Sequence, residues 1–278
     1  MGMRVSTNVA AINAQRNLQN SQLAMKDSFA KLSSGSRINK SADDAAGLAI
    51  SESLKAQIRS SRQANRNAND GISMVQVAEG GLNEIGNIVV RLRELGIQAA
   101  SDTIGDTERG FINKEVDQLK NEAQRIASVT TWGTTKLLDG STPTFDFQVG
   151  IFNNSFEDRI SFEAGENEAT LSALGIEGLD YTQKDGAQTG LELLDAAQTR
   201  VNEMRSNLGA LQNRLQSTSN NLLSSEENLS AANSRIRDTD VAEASAELTR
   251  NNILLQAGAA TLAQANQMNS VALSLVQG

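Results

Sequence analysis

The side chains that most often do chemistry in proteins are missing from this sequence. The chain contains no histidine and no cysteine, so it cannot build a Ser-His-Asp triad, an HExxH zinc site or a thiolate nucleophile. Adjacent carboxylates that could be considered for catalysis are Asp43-Asp44 and Glu226-Glu227. Neighbouring residues on a helix point about 100° apart, so the two carboxylates of a pair cannot share one substrate. Gly80-Gly81 lacks the lysine that follows a phosphate-binding loop. We therefore predict no catalytic residue, no metal ligand, no cofactor and no enzymatic activity.

The charge and hydropathy of the chain also exclude some classes of partner. The formal net charge is -8 and the sequence pI is about 4.8, without the basic run that nucleic-acid binding requires. No stretch approaches the roughly 18 consecutive apolar residues of a membrane span. The first six residues hold no apolar segment typical of a secretory signal. We expect no nucleic-acid partner and no membrane insertion, and any export must proceed without a cleavable signal peptide.

A heptad repeat runs through the last third of the sequence. The apolar residues that recur at every seventh position are Leu194, Val201, Leu208, Leu215, Leu222, Leu229 and Ile236. At about 1.5 Å of rise per residue this stripe is roughly 60 Å long, and a stripe of that length must lie against another helix. The sequence therefore predicts a function carried by helix packing.

Each end of the chain carries a shorter heptad series. The N-terminal series is Ala11, Leu18, Met25 and Leu32, in a helix over about residues 6 to 34 that Gly35 ends. The C-terminal series is Val241, Leu248, Leu255, Leu262 and Val276, with Asn269 in one of its places, in a helix that Asp240 and Glu243 cap. Such helices bury little apolar area relative to their ordering entropy, so we expect them to be loose in the monomer and to fold on association. The alternative is that they fold back onto the central helices.

The central part of the sequence predicts three helices and one hairpin. Ser41 to Asp44 forms a capping box that opens the second helix, whose apolar series pass through Gly80-Gly81 at a point of close helix approach or a slight bend. A third helix is predicted from about Thr107 to Ser128. Residues 145–149 and 159–163 alternate as the two strands of a β-hairpin. Polar, glycine-rich sequence over 165–190 then leads into the long helix.

These elements define the predicted fold class and its segments. The fold is mainly α, a long coiled-coil-like helical bundle formed by the N- and C-terminal segments, with a small central β-hairpin region. Five segments follow along the chain: an N-terminal helix (1–40), the first part of a central helical domain (41–140), the hairpin and loops (141–189), the long helix of the central domain (190–238) and a C-terminal helix (239–278).

Several motifs along the chain resemble those of bacterial flagellins. They are LSSGSRIN (32–39), DDAAGLAIS (43–51), NANDGIS (67–73), RLREL (91–95), RSNLGA (205–210), SRIRDTD (234–240) and LAQAN (262–266). The middle of the chain holds only the hairpin, so the sequence resembles a compact flagellin without large outer domains. It departs from the family pattern at Ser36 and at Trp132 to Thr134, neither of which belongs to a heptad series.

The resemblance implies a structural subunit of the extracellular flagellar filament used for swimming. The terminal helices would pair as a coiled coil around the filament channel, inside a shell of central helices, and subunits would stack through unlike faces. The implied partners are further copies of the chain, the type III export apparatus with its chaperone, and the hook-filament junction and filament cap proteins. A hook-filament junction protein is the nearest alternative. A cytoplasmic signalling coiled coil is another, although the phenylalanine-rich hairpin and the breaks at Gly35 and Asp238 disfavour it.

One further surface is implied by the resemblance. Arg91, Leu95 and Glu115 match the positions through which many flagellins engage a Toll-like receptor. Arginine supplies several hydrogen-bond donors and leucine supplies an apolar anchor, which suits a binding hot spot. The alternative is that the same patch makes contacts between subunits of the filament.

Overall fold

The computed structural model describes residues 7–141 and 144–277, with side chains described as far as residue 267. The helices are α1 (Val9–Ser34), α2 (Ala45–Ala99), α3 (Asp106–Val129), α4 (Leu171–Leu174), α5 (Lys184–Arg237) and α6 (Val241–Gln277). The strands are β1 (Thr131–Trp132), β2 (Thr135–Lys136), β3 (Phe145–Gln148) and β4 (Arg159–Phe162), and a 3-10 turn covers Ala164–Asn167. The predicted mainly helical fold with a small β-hairpin is confirmed. The predicted positions before residue 7, and the side chains of Asn269 and Val276, lie outside the described residues.

The described residues group into two compact units that divide within α2 and within α5. One unit, here called the terminal unit, takes the chain up to Ala56 and from Asn228 onward, and the other, the central unit, is Gln57–Glu227. The predicted segment boundaries at 40 and 238 instead fall at the breaks between helices. Those breaks are present as predicted, since α1 ends at Gly35 in the left-handed conformation (φ 68°) and α5 ends at Arg237.

The core of the central unit is a packed bundle of α2, α3 and α5. Two interleaved heptad series of α2 are fully buried: Val75, Leu82 and Val89, and Ala78, Ile85 and Leu92. They share one apolar cluster with Val116 of α3 and with Leu194, Val201, Leu208 and Leu215 of α5. Burying each valine or leucine contributes about 1.5–3 kcal/mol. The heptad pattern therefore identified the core of this unit correctly.

The helix α2 continues through Gly80-Gly81 because the two glycines have different surroundings. A Cβ atom built on Gly81 would lie 2.7 Å from Thr130 Oγ1 and 2.8 Å from Leu138 Cδ1, whereas one built on Gly80 meets nothing within 4 Å. A close approach is therefore made at Gly81, but by Thr130 and Leu138, which follow α3, and not by a neighbouring helix as predicted.

This difference predicts opposite effects for one added methyl group. We expect Gly81→Ala to lower the free energy of unfolding by about 1–3 kcal/mol, because the methyl group overpacks a closed site. Gly80→Ala is the matched control and is expected to raise it by up to about 1 kcal/mol through helix propensity. Urea unfolding followed by circular dichroism measures both, and a loss of stability in Gly80→Ala as large as that in Gly81→Ala would contradict the packing explanation.

The start of α2 differs from the predicted capping box. Asp44 caps the helix, because its Oδ1 accepts a hydrogen bond from the backbone N–H of Gly47 at 2.8 Å. Asp43 instead closes the preceding turn, where its Oδ2 accepts from the N–H groups of Lys40 and Asn39 at 2.9 and 3.0 Å. These two hydrogen bonds lower the pKa of Asp43. The prediction that Ser41 opens the helix was wrong, since the first helical turn begins at Ala45.

The β structure contains the predicted hairpin and a second one that the sequence did not reveal. Strands β3 and β4 pair antiparallel, with Phe145 opposite Phe162 and their ring centroids 6.0 Å apart. Strands β1 and β2 form a shorter antiparallel pair, turned at Gly133 with φ 62°. The β-forming residues on both sides of Gly133 were a usable signal for this turn.

The long helix α5 begins at Lys184, inside the sequence predicted to be loop. Two of the glycines responsible for that prediction, Gly186 and Gly190, lie in the helix. Gly190 leaves room for Tyr181, because a Cβ there would lie 2.8 Å from Tyr181 Cε1. Tyr181 is fully buried and its hydroxyl donates to the Leu92 carbonyl at 3.2 Å. Burial raises the pKa of Tyr181 to about 12. These glycines serve close packing, which a single sequence does not distinguish from a turn.

Candidate assembly surfaces

The terminal unit is built on an antiparallel pair of helices, α1 and α6. Near the start of α1, Asn8 Nδ2 donates to the Ala265 carbonyl at 2.9 Å. At the other end of the pair, the Thr239 N–H donates to the Gly35 carbonyl at 3.0 Å. Between these ends, Leu18 Cδ1 lies 3.2 Å from where a Cβ on Gly258 would be placed. The two helices therefore contact each other along most of α1.

The predicted heptad residues face this contact but are only partly buried. Those that are half-buried are Ala11, Leu18, Met25 and Leu32 of α1 and Leu248, Leu255 and Leu262 of α6. Val241 is 63% exposed, so its predicted place in the α6 series was wrong, and the first fully buried residue of α6 is Ala244. A two-helix contact has only one covered side, which explains the incomplete burial.

A second set of apolar side chains on the same two helices is exposed. On α1 these are Val9, Ile12, Leu23 and Phe29, and on α6 they are Val241, Ile253 and Leu254. We call them the outer apolar face of the terminal pair. Large apolar side chains left exposed along one pair of helices favour its association with another protein surface.

Electrostatics favours the pairing of these two helices. Lys31 Nζ lies 2.8 Å from Asp27 Oδ2, and this hydrogen bond raises the pKa of Lys31, with a smaller contribution from Glu247 of α6. At the start of α6, Asp240 Oδ1 accepts from the Ala242 N–H at 2.8 Å, as the predicted cap requires. On α6 the charged residues lie in the half nearest Gly35, since this helix carries no ionisable side chain after Arg250.

The terminal pair joins the long helices through a hydrogen-bonded junction. Ser36 and Asp238 form an isolated antiparallel bridge, and the Arg37 N–H donates to the Arg237 carbonyl at 2.6 Å. The Arg37 guanidinium donates to the Ile236 carbonyl at 2.7 Å, and the Arg237 guanidinium pairs with Glu52. Arg37 thus satisfies the last carbonyls of α5, which have no helical partner of their own.

The long heptad series of α5 changes character along its length. Leu194, Val201, Leu208 and Leu215 are buried in the core of the central unit, whereas Leu222, Leu229 and Ile236 are half-buried. Near Leu222 the contact with α2 is polar: Ser61 Oγ donates to the Leu222 carbonyl at 3.3 Å, and Arg62 Nε lies 2.6 Å from Glu226 Oε1. A role for the half-buried residues in subunit contacts stays a prediction.

The proposed receptor patch is an exposed cluster of charges on α2 and α3. Arg91 Nη2 lies 2.8 Å from Glu115 Oε1 and Arg91 Nη1 lies 2.9 Å from Glu94 Oε2. Hydrogen bonds to Glu115 and then Glu94 raise the pKa of Arg91. Leu95 does not belong to this surface, because it is 2% exposed and packs in the core. Its predicted role as an apolar anchor is therefore corrected, and of the three predicted residues Arg91 and Glu115 are the accessible ones.

Comparison with known proteins decides the family. The profile of the bacterial flagellin N-terminal helical region matches residues 5–142, and that of the bacterial flagellin C-terminal helical region matches residues 191–276. The chain belongs to the bacterial flagellin family. Flagellin of Halalkalibacterium halodurans is 44% identical over 277 residues, which cover 99% of this chain and 100% of that protein.

Two other proteins extend the comparison. The flagellar filament core protein flaB2 of Brachyspira hyodysenteriae is 41% identical over 288 residues, covering 99% of this flagellin and 100% of its relative. The crystal structure of Bacillus cereus flagellin is 28% identical with a TM-score of 0.50, over 56% of this chain and 88% of that one. The predicted family, in its compact form, is confirmed by the two full-length matches, to the proteins of Halalkalibacterium halodurans and Brachyspira hyodysenteriae.

The acidic pairs of this flagellin have structural roles. Asp43 and Asp44 shape the start of α2, and Glu226 pairs with Arg62. Over residues 7–141 and 144–277, no three acidic side chains gather as they would around a metal ion. Within the same ranges, none of the helices combines the length and the apolar character needed to cross a membrane.

Proposed function

We propose that this flagellin is a structural subunit of the flagellar filament, assembling by contacts between unlike faces and completing the folding of its terminal helices as it assembles. The observation that carries this proposal is the outer apolar face of α1 and α6. A subunit that repeats a contact between unlike faces forms an open helix instead of a closed ring. Apolar surface that each subunit leaves uncovered is then buried by its neighbours.

The energetics of the terminal pair support folding on assembly. Of the described side chains of this pair, only Ser28, Ala244 and Ala265 are buried, and these small residues contribute little hydrophobic stabilisation. Ordering the backbone costs about 1–2 kcal/mol per residue. A pair with this balance gains stability when a neighbouring subunit covers its outer apolar face.

The export route, the location of the filament and the partner proteins follow from the same proposal. A structural role without enzymatic activity fits the family and the absence of histidine and cysteine from the sequence. A thin terminal pair unfolds at low cost, which favours transport of an unfolded chain through the type III export apparatus with an export chaperone. The filament would lie outside the cell and end at the hook-filament junction and filament cap proteins.

Seeded assembly tests the proposal directly. Purified flagellin would be mixed with short filament fragments, then imaged by electron microscopy while far-UV circular dichroism follows its helicity. We expect long fibres together with a rise in the helical signal. Persistent monomers of constant helicity would contradict the filament role and favour a hook-filament junction protein.

Receptor binding is a second candidate, favoured by the exposed guanidinium of Arg91 beside Glu115. We expect Arg91→Ala to lower activation of a Toll-like receptor by monomers about tenfold, the size of a hot-spot loss near 1.4 kcal/mol. Arg93→Ala is the control, because Arg93 is also exposed on α2 and pairs with Asp195 at 2.7 Å. A reporter-cell assay with monomeric protein measures both, and equal losses would remove the special role of Arg91.

A further inference from the structure

The loop between β3 and β4 contains the acceptor triplet for N-linked sugars. This triplet is Asn153-Asn154-Ser155, and it fits the pattern Asn-x-Ser/Thr, in which any residue except proline occupies the middle. The attached group is bulky and polar, so the pattern is used at the protein surface. The same pattern occurs at Asn39-Lys40-Ser41 and at Asn228-Leu229-Ser230, and the three triplets differ in their surroundings.

The loop that carries Asn153 is exposed and ordered. Every residue from 152 to 157 is exposed. The carboxylate of the buried Asp158 accepts hydrogen bonds from the N–H groups of Asn154 at 2.9 Å and Phe152 at 3.3 Å. A loop that is already ordered loses little entropy when another protein binds it. An enzyme can therefore reach this triplet on the folded chain.

The side-chain amide of Asn153 has its oxygen occupied and its nitrogen available. Asn153 Oδ1 accepts a hydrogen bond from Arg159 Nη2 at 2.7 Å, whereas no described residue pairs with Asn153 Nδ2. The Ser155 hydroxyl likewise has no hydrogen-bond partner among the described residues. The nitrogen that accepts the sugar and the hydroxyl that the pattern requires are therefore both accessible.

The other two triplets lack this combination. Asn39 Nδ2 already donates to Ser34 Oγ at 2.9 Å and to the Ala30 carbonyl at 3.2 Å. Asn228 lies inside α5, where side chains two residues apart point about 200° from each other. The Ser230 hydroxyl therefore cannot act on the Asn228 amide, and both triplets serve as internal comparisons.

Two exposed aromatic rings lie on either side of the acceptor in the sequence. Phe152 is 70% exposed and Phe156 is 83% exposed, and neither belongs to the core cluster. The face of an aromatic ring is electron-rich, so it attracts the polarised C–H groups on the face of a sugar ring. A sugar on Asn153 would remove part of this apolar surface from water, which is favourable.

We propose that Asn153 is an N-glycosylation site of this flagellin. The substrate class is a sugar whose anomeric carbon is joined to a diphosphate carried by a nucleoside or by a polyprenol lipid. Asn153 Nδ2 forms a bond to the anomeric carbon, and the bond from that carbon to the phosphate oxygen breaks. The carrier diphosphate leaves with the electron pair of that bond, and one proton of the amide passes to a base of the transferase.

Peptide mass spectrometry tests the site on flagellin collected from the cells that produce it. We expect the peptide containing Asn153 to carry at least one sugar residue, and the peptides containing Asn39 and Asn228 to carry none. An unmodified Asn153 peptide would overturn the inference. Protein from filaments, medium or cells serves equally, so the result stands even if the proposed filament function fails.

Matched substitutions identify the linked atom. Asn153→Gln and Ser155→Ala should each abolish the modification, whereas Ser155→Thr retains a hydroxyl and should retain the sugar. Asn228→Gln is the control and should leave the modification unchanged. A sugar that persists on the Asn153→Gln variant would be attached elsewhere, for example to the Ser155 hydroxyl, and would overturn the assignment.

A second pair of variants tests the aromatic rings. Phe152→Ala/Phe156→Ala should lower the modified fraction of Asn153 several-fold, and Phe111→Ala is the control because Phe111 is 63% exposed on α3. Thermal melting should be the same for both variants and the wild type, since the altered side chains are exposed. An unchanged modified fraction in the double variant would overturn the role given to the rings.

Cell fractions distinguish the two carriers of the sugar. Unmodified flagellin would be incubated with the soluble fraction or with the membrane fraction of the producing cells, each supplied with nucleotide sugars. Transfer by the soluble fraction indicates a nucleoside diphosphate carrier, and transfer by membranes alone indicates a polyprenol diphosphate. Transfer by neither fraction would overturn the diphosphate donor.

Discussion

Removal of residues 240–278 is expected to yield a folded monomer that cannot extend filament seeds. The truncation deletes α6, so α1 loses its partner and the outer apolar face loses Val241, Ile253 and Leu254. The central unit keeps its complete core, because the buried cluster of α2, α3 and α5 draws on no residue of α6. Polymerisation and stability should therefore separate in this variant.

Two measurements establish that separation. The melting temperature of the truncated monomer should stay within a few degrees of the full chain, while seeded growth falls below detection in electron micrographs. Ile253→Asp is the matched control: it keeps α6 but places a charge on the outer apolar face, where Ile253 is exposed, and should slow growth without lowering monomer stability. Normal filaments from the truncated protein would refute the role given to the terminal pair.

A charge placed in the buried part of the long heptad series is expected to unfold the central unit. Leu208 is 1% exposed and lies in the core cluster, so Leu208→Asp buries a carboxylate and removes an apolar side chain. A loss above about 4 kcal/mol is expected, a large fraction of the 5–15 kcal/mol that stabilises a typical domain. The variant should lose its cooperative thermal transition.

Two less buried leucines of α5 provide comparison variants for this experiment. Leu222 is half-buried, so Leu222→Asp should cost about 1–2 kcal/mol and leave the unit folded. Leu223 is 53% exposed, and Leu223→Asp should change the free energy of unfolding by less than about 0.5 kcal/mol. Urea unfolding of the monomers ranks the three variants, and an equal loss in all three would show that helix propensity, and not burial, sets their stability.

Patterns that repeat along a helix carried most of the correct predictions. Val75, Leu82 and Leu208 were placed in the core because a period of seven fixes one helix face, whatever that face packs against. The same rule places Leu95 in the core, because Leu95 lies seven residues after Ile88 on the core-facing side of α2. Its predicted surface role came instead from the resemblance of the RLREL segment to a family motif. Periodicity was therefore the more reliable guide to its burial.

Features decided by a single contact could not be predicted in this way. Gly190 lies in a helix because Tyr181 packs against it, and Gly81 because Thr130 and Leu138 approach it, yet glycine in a sequence equally favours a turn. The choice of Asp44 over Ser41 as the cap depends on a shift of three residues. The sequence predicts the hairpin but not the exposure of Phe152 and Phe156 in the loop between β3 and β4, since exposure is a property of the folded unit.

The placement of the aromatic residues makes the two units spectroscopically distinct. The chain has one tryptophan and one tyrosine, and both Trp132 and Tyr181 belong to the central unit. Tryptophan fluorescence and the tryptophan and tyrosine bands of the near-UV dichroism therefore record the central unit alone, whereas far-UV dichroism sums the helices of both units. In a stopped-flow growth experiment, a far-UV change without a change in the intrinsic fluorescence would time the ordering of α1 and α6 without any attached label.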